Sequence, residues 1–214
     1  MSELARRPRA DSAHTRACIL DAAEQLFSER GYSGTSLRAI ADQAGVNLAA
    51  ANYHFGSKAQ LLEAALQRCV APVNVERLAR LDALQAGGQT PAAEAIVRAL
   101  VEPVLRAAAT NSAPRLLVRI FAEPKEVSVP LIERTFSVVA QRFLAALQSA
   151  LPSVDQQTLQ WRFHLLVGCL VHVANFDRPL NLFRAGTHAP QPGTAVEHLV
   201  RFALAGLTQG AAHE

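Results

Sequence analysis

Between Asn47 and Lys58 the chain reads NLAAANYHFGSK, and side chains able to meet another molecule lie close together there. Asn52 carries a donor and an acceptor side by side, the pattern that pairs with an adenine edge. Tyr53 and His54 end in polar tips able to reach phosphate oxygens, although His54 also suits a core and Tyr53 also suits plain packing. Lys58 opens a helix, where free N–H groups and the helix dipole favour an anion. Leu48, Ala49 and Ala50 offer no hydrogen bond, yet they can pack on thymine methyl groups. Elsewhere the reactive residues form no catalytic pattern. Cys169 and His172 stand i, i+3 on one helix, as a thiol and its base would, but the apolar run around them favours an inert core cysteine. The seven histidines and three cysteines show no metal-ligand spacing, and neither a nucleophile elbow, a P-loop nor a dinucleotide fingerprint occurs. No catalytic residue, metal or cofactor is expected.

A run as short as Leu48–Phe55 needs support, because isolated helices below about 12–15 residues are marginal in water. The rest of the chain can supply it. Half of the 214 residues are hydrophobic, enough for a substantial core, and only 6% are aromatic. Alanine and leucine dominate, which favours helix over sheet. The spacing Ile19, Ala22, Ala23, Leu26, Phe27 marks one face of a helix that Gly31 closes. Thr35 or Ser36 caps a second, with Leu37, Ile40, Ala41 and Ala44 inward, ending at Gly45. Asn47 caps the short third helix. Ser57 and Gln60 form the capping box of a fourth, striped by Leu61, Leu62, Ala65, Leu66 and Cys69. After Pro72, further helices are expected at about 74–86, 91–110, 113–122, 128–150, 154–175 and 194–209, with a surface loop at 178–193.

Helices two and three, joined through Gly45 and Val46, fit a helix-turn-helix, in which the second helix enters the DNA major groove. Val46, Ala51 and Phe55 would anchor its back. The residues resemble a family here: ILDAAEQLFSERGYSGTSLRAIADQAGVNLAAANYHFGSKAQLLEAAL is similar, from about Arg16 to Leu66, to the DNA-binding domain of the TetR/AcrR regulators. That resemblance implies an all-α homodimer. Residues 1–57 would hold the N-terminal arm and the three-helix helix-turn-helix domain, and 58–214 a helical ligand-binding and dimerisation domain. The candidate DNA contacts are then Thr35, Ser36, Arg38, Asn47, Leu48, Ala49, Ala50, Asn52, Tyr53, His54 and Lys58. Ala49-Ala50-Ala51-Asn52 replaces the family's usual Gly-Thr-Leu-Tyr, so the recognition surface is less polar than is usual.

Leu159 to Ala174 is apolar nearly all round, as in a helix buried on both sides. With the last helix it is expected to form the dimer interface, through Phe163, Val167, Gly168, Leu170, Leu199, Val200 and Ala203. Arg119, Phe121, Trp161, His164 and His172 are candidate ligand-binding residues, with Arg119 the partner for a carboxylate. The resemblance is nearest to the fatty-acid-responsive regulators of the family. The expected partners are therefore a pseudo-palindromic double-stranded DNA operator, a small hydrophobic effector and a second copy of the chain. A drug-sensing repressor, an enzyme and a protein-only helix-turn-helix are the competing readings. No run approaches the roughly 18 apolar residues of a membrane span. Arg6, Arg7 and Arg9 lack the apolar block of a signal peptide. With three scattered cysteines, this points to the cytoplasm. The net charge of +3 is compatible with nucleic acid without requiring it.

Overall fold

The spacing at Ile19, Ala22, Ala23, Leu26 and Phe27 becomes one wholly buried face of α1 (Arg7–Arg30). The structure, a computed structural model, describes residues 7–108, 113–175 and 192–209. Among these every regular element is α-helix, and the fold is all-α. After α1 come α2 (Leu37–Gln43), α3 (Leu48–Phe55), α4 (Lys58–Gln85), α5 (Ala93–Ala108) and α6 (Ala113–Phe121). They are followed by α7 (Lys125–Ala150), α8 (Gln156–Asn175) and α9 (Pro192–Thr208). The chain forms two compact units, Met1–Val70 with Arg115–Thr135, and Ala71–Pro114 with Phe136–Glu214.

In the first unit α1, α2 and α3 pack on one another. Ile40, Ala41, Ala51 and Phe55 close the core over α1, and Leu61, Leu62, Ala65 and Leu66 of α4 are buried with them. Leu116 and Ile120 of α6 and Leu131 of α7 are buried in this unit too. Arg68 joins α4 to α1 through Glu24 at 2.5 Å and Asp21 at 2.7 Å, and these carboxylates raise its pKa further. In the second unit α5, α8 and α9 pack together around Leu100, Leu159, Leu166 and Val200, with Phe143 and Leu147 from α7 and Leu81 from α4.

Three helices run further than their prolines suggest. Instead of breaking, α4 continues through Pro72, which removes the bond its own N–H would give the Arg68 carbonyl and sets its ring against that carbonyl. The start of α7 is Lys125 rather than 128, because the N–H groups of Val127 and Ser128 both find the Pro124 carbonyl. Pro192 takes the first position of α9, where a missing N–H costs nothing. The loop expected at 178–193 lies, up to residue 191, outside the described residues.

The expected dimer face needs correction. Phe163, Leu170, Leu199, Val200 and Ala203 are buried in their own unit's core, and Val167 is half-buried against it. The outward face of α8 holds Trp161 (64% exposed), His164, Leu165, Gly168 and His172. On α9 it holds His198, Arg201, Phe202 (68% exposed), Ala205 and Gly206. Of the expected set only Gly168 lies there. Both faces of α8 are apolar, so periodicity alone does not say which one turns inward.

Gly31 adopts φ +73°, and a Cβ added there would stand 2.7 Å from Glu123 Oε1. Gly88 has a similar φ of +69° but open space. Gly31→Ala is expected to lower stability by ~1–2 kcal/mol from backbone strain, with a further loss from the displaced carboxylate. Gly88→Ala should show the backbone loss alone. Denaturant midpoints at unchanged slope measure both; equal losses would contradict a tight Gly31–Glu123 fit.

Candidate functional site

Ser36 caps α2, its Oγ accepting the Ala39 N–H at 3.1 Å. Gly45 then turns the chain with φ +69°, and the Val46 N–H returns to the Ala41 carbonyl at 3.0 Å. Asn47 caps α3, its Oδ1 accepting the Ala50 N–H at 2.8 Å. These contacts fix both ends of the turn. Ala51 and Phe55 bury the back of α3, while Leu48, Ala49, Asn52 and Tyr53 face outward and Ala50 is half-buried. Tyr53 is 84% exposed, and its ring meets that of the half-buried His54 edge-on at 5.4 Å. The side chains that could read a base edge or touch a phosphate therefore project from one short, firmly held helix.

The basic groups around α3 divide into exposed and engaged. Arg38 is exposed on α2. Arg16, absent from the sequence-derived set, is exposed on α1 with its guanidinium 5.1 Å from the Phe55 ring centre. Only the contact with Phe55, 39 positions on, marks it out. Lys58 Nζ donates to the Tyr32 and Thr35 carbonyls, each at 2.9 Å, and lies 4.0 Å from the centre of the Tyr32 ring. Two of its three donors are thus engaged with the turn between α1 and α2, leaving one for a phosphate. Thr35 requires correction as a DNA contact. It is 3% exposed, and its hydroxyl donates to the Gly31 and Leu26 carbonyls.

The same turn is gripped from α6 and the residues after it. Glu123 Oε1 accepts the Tyr32 N–H at 2.7 Å and the Ser33 N–H at 3.2 Å, and Oε2 accepts the Ser33 hydroxyl at 2.6 Å. Partial burial alone would raise its pKa. The hydrogen bonds from Ser33 and Tyr32, with the Lys58 charge nearby, outweigh that and hold the carboxyl below its ordinary value. Arg119 donates through Nη2 to the Glu29 carbonyl at 2.9 Å and through Nε to that of Ser28 at 3.3 Å. A guanidinium at a helix C-terminus satisfies carbonyls and complements the dipole. Arg119 is therefore a cap for α1, which corrects its expected role as a ligand's carboxylate partner. Phe121 is half exposed on α6. Trp161, His164 and His172, the other candidate ligand-binding residues, stand exposed on the outward face of α8.

The first unit is thus a helix-turn-helix head, and the second is an all-helical body built on α5, α8 and α9. Residues 19–65 match the family model "Bacterial regulatory proteins, tetR family". Residues 98–206, just over half of the chain, match "Tetracyclin repressor-like, C-terminal domain". The chain belongs to the TetR family of bacterial regulatory proteins. It is similar to the HTH-type transcriptional regulator TtgR of Pseudomonas putida, 43% identical over 63 residues, 29% of this chain and 30% of TtgR. The similarity to such curated relatives thus spans about a third of their length. Among solved structures it is similar to NalD, described as the secondary repressor of the MexAB-OprM multidrug efflux pump in Pseudomonas aeruginosa. That likeness has 25% identity and a TM-score of 0.61, and covers 94% of this chain and all of NalD. The fatty acid degradation regulator FadR from Bacillus halodurans shares the fold, with a TM-score of 0.64, 16% identity, and 89% and 98% coverage.

Because the Glu123 carboxyl is held low in the folded state, its contribution is complete above the ordinary carboxylate pKa of about 4.3 and is lost as pH falls through its own lower value. Glu123→Gln should therefore unfold more easily than the native protein at pH 7. The gap should close as the solution is acidified below about pH 4. Denaturant midpoints across that range test this; a gap that widens on acidification would contradict the assigned sign.

Proposed function

We propose that the protein is a dimeric, ligand-responsive, sequence-specific DNA-binding transcriptional regulator, acting as a repressor that its effector releases from DNA. The observation that carries this is α3 itself, buried along its back by Ala51 and Phe55 and outward-facing at Leu48, Ala49, Asn52 and Tyr53. A slim front on a rigid back suits entry into the major groove, with phosphate contacts setting the register and base contacts the specificity. Ser36, Arg38, Asn47, His54, Lys58 and Arg16 surround it as positioning groups, and Asn52 is the residue to read an adenine. In this division of labour residues 1–57 carry the DNA-reading helices and residues 58–214 sense and dimerise, although the start of α4, α6 and the start of α7 pack in the same unit as those helices.

The outward faces of α8 and α9 form the proposed dimer surface. They expose Trp161, Leu165 and Phe202 beside Gly168 and Gly206, where an added Cβ would meet nothing within 4 Å. Large apolar groups around open glycines let a second pair of helices approach closely. The two heads of such a dimer would meet a pseudo-palindrome with half-sites about one helical turn apart, ~34–36 Å, or farther if the DNA unwinds.

For the effector, the apolar body supports a small hydrophobic molecule of fatty-acid or acyl type. The multidrug-pump repressor NalD, more similar in sequence than FadR, favours a second reading in which the effector is a drug-like aromatic compound.

Sedimentation with duplexes selected from a random pool should give two chains per operator, and Phe202→Glu should leave a monomer with weakened operator binding. One chain per operator would sink the dimer. Asn52→Ala should cost ~1–3 kcal/mol on the selected duplex if its contact is bidentate, and little on random DNA. Replacing thymine by uracil tests the alanine face in the same way. Equal losses on both kinds of DNA would remove Asn52 from the reading surface.

A further inference from the structure

Arg77 lies in the second unit, 7% exposed, on the part of α4 that follows Pro72. Its Nε donates to the Leu100 carbonyl of α5 at 2.9 Å and its Nη1 to Asn74 Oδ1 at 3.2 Å. Nη2 has no protein acceptor among the described residues. No carboxylate among them meets the guanidinium either, and desolvation by burial lowers its pKa to about 10. The acidic side chains close by in sequence are engaged elsewhere. Glu76 binds Arg80 and Arg106, and Asp82 binds Arg142; on α5, Glu102 binds Arg80 and Arg98. Burying a cation costs several kcal/mol unless a counter-charge offsets it, and here the protein supplies only neutral oxygens.

Pro103, one turn on in α5, lacks the N–H that would bond the Ala99 carbonyl, but the carbonyl that Arg77 meets is that of Leu100. A neutral donor would serve the Leu100 carbonyl equally well, so that contact alone does not account for a buried positive charge. A planar fork with its outer nitrogen open is the group that matches a carboxylate. On the same two helices the partly buried Leu78 and Val104 supply apolar surface.

We infer that Arg77, rather than Arg119, is the anchor for the head group of a hydrophobic carboxylate bound in the α4–α5 part of the body. This rests on reading the body as the effector-binding module. It deepens that reading by making the effector an anion and naming the residue that selects it. A neutral or cationic drug would leave the buried charge unmatched.

The test is thermal unfolding of the full-length protein without DNA, in octanoate, dodecanoate and benzoate, each against its alcohol at the same concentration and fixed salt. At least one acid should raise Tm with its alcohol ineffective, and Arg77→Met should lower the apparent affinity for that acid about tenfold or more. Arg77→Lys, which keeps the charge and loses the fork, should fall between the two and guards against a methionine variant that does not fold. Arg119→Ala should leave the acid's affinity unchanged. Equal response to acid and alcohol, no response to any acid, or undiminished acid binding by folded Arg77→Met or Arg77→Lys would overturn the assignment. Operator binding by the same variants, measured without ligand, reports separately on the regulator reading. If the native protein binds no selected duplex, that reading fails whatever the acids do.

Discussion

α3 is eight residues long, and a helix of that length has no stability of its own in water. To present a fixed front it must be held at its start, along its back and at its end. Asn47 closes the N-terminus, and Ala51 and Phe55 sink into the core of α1 and α2. Gly56, with φ +69° and its N–H on the Asn52 carbonyl at 2.7 Å, closes the C-terminus. All of these devices act at the ends or along the back of α3, so the outward side is left for recognition. Loss of the Asn47 cap alone would cost ~0.5–2 kcal/mol, a large fraction of what holds so short an element.

The turn between α1 and α2 carries a second layer of the same design. Tyr32, Ser33 and Thr35 are met by Lys58 at the start of α4 and by Glu123 after α6, while Arg119 closes the end of α1. An ammonium takes the carbonyls, a carboxylate takes the N–H groups, and the two charges offset one another. Gly31 leaves room for the carboxylate. The orientation of α2, and hence of α3, thus depends on polar groups up to 91 positions distant, so α6 and the start of α7 pack with the head rather than apart from it.

Much of this was legible in the chain. The faces of α1 and α3, the Gly31 stop, the Ser36 and Asn47 caps and the all-α architecture follow from local periodicity and capping chemistry, which act within a turn or two. What was not legible depends on distant partners. Nothing near Arg119 announces that it caps a helix 90 residues earlier, and nothing near Lys58 shows its ammonium turning to Tyr32. Thr35 reads equally well as a cap or a contact until its hydroxyl is seen buried. On α8 the choice between Phe163 and Trp161 as the inner residue is a matter of packing, because both sides are apolar. Arg77 is hidden for the opposite reason: an arginine in a charged stretch of helix looks solvated, and only its burial sets it apart from Arg80.

The proposed role of α3 is to read DNA sequence, with Arg16 and Arg38 exposed on the neighbouring helices. Affinity for a selected duplex and for a scrambled one, each measured across a range of salt concentrations, tests it most directly. The account predicts that both affinities fall steeply with salt, with a slope near −0.9 per neutralised phosphate. It also predicts that the selected duplex binds at least ~10³-fold tighter at physiological salt. Equal affinity for the two duplexes, or binding insensitive to salt, would contradict it.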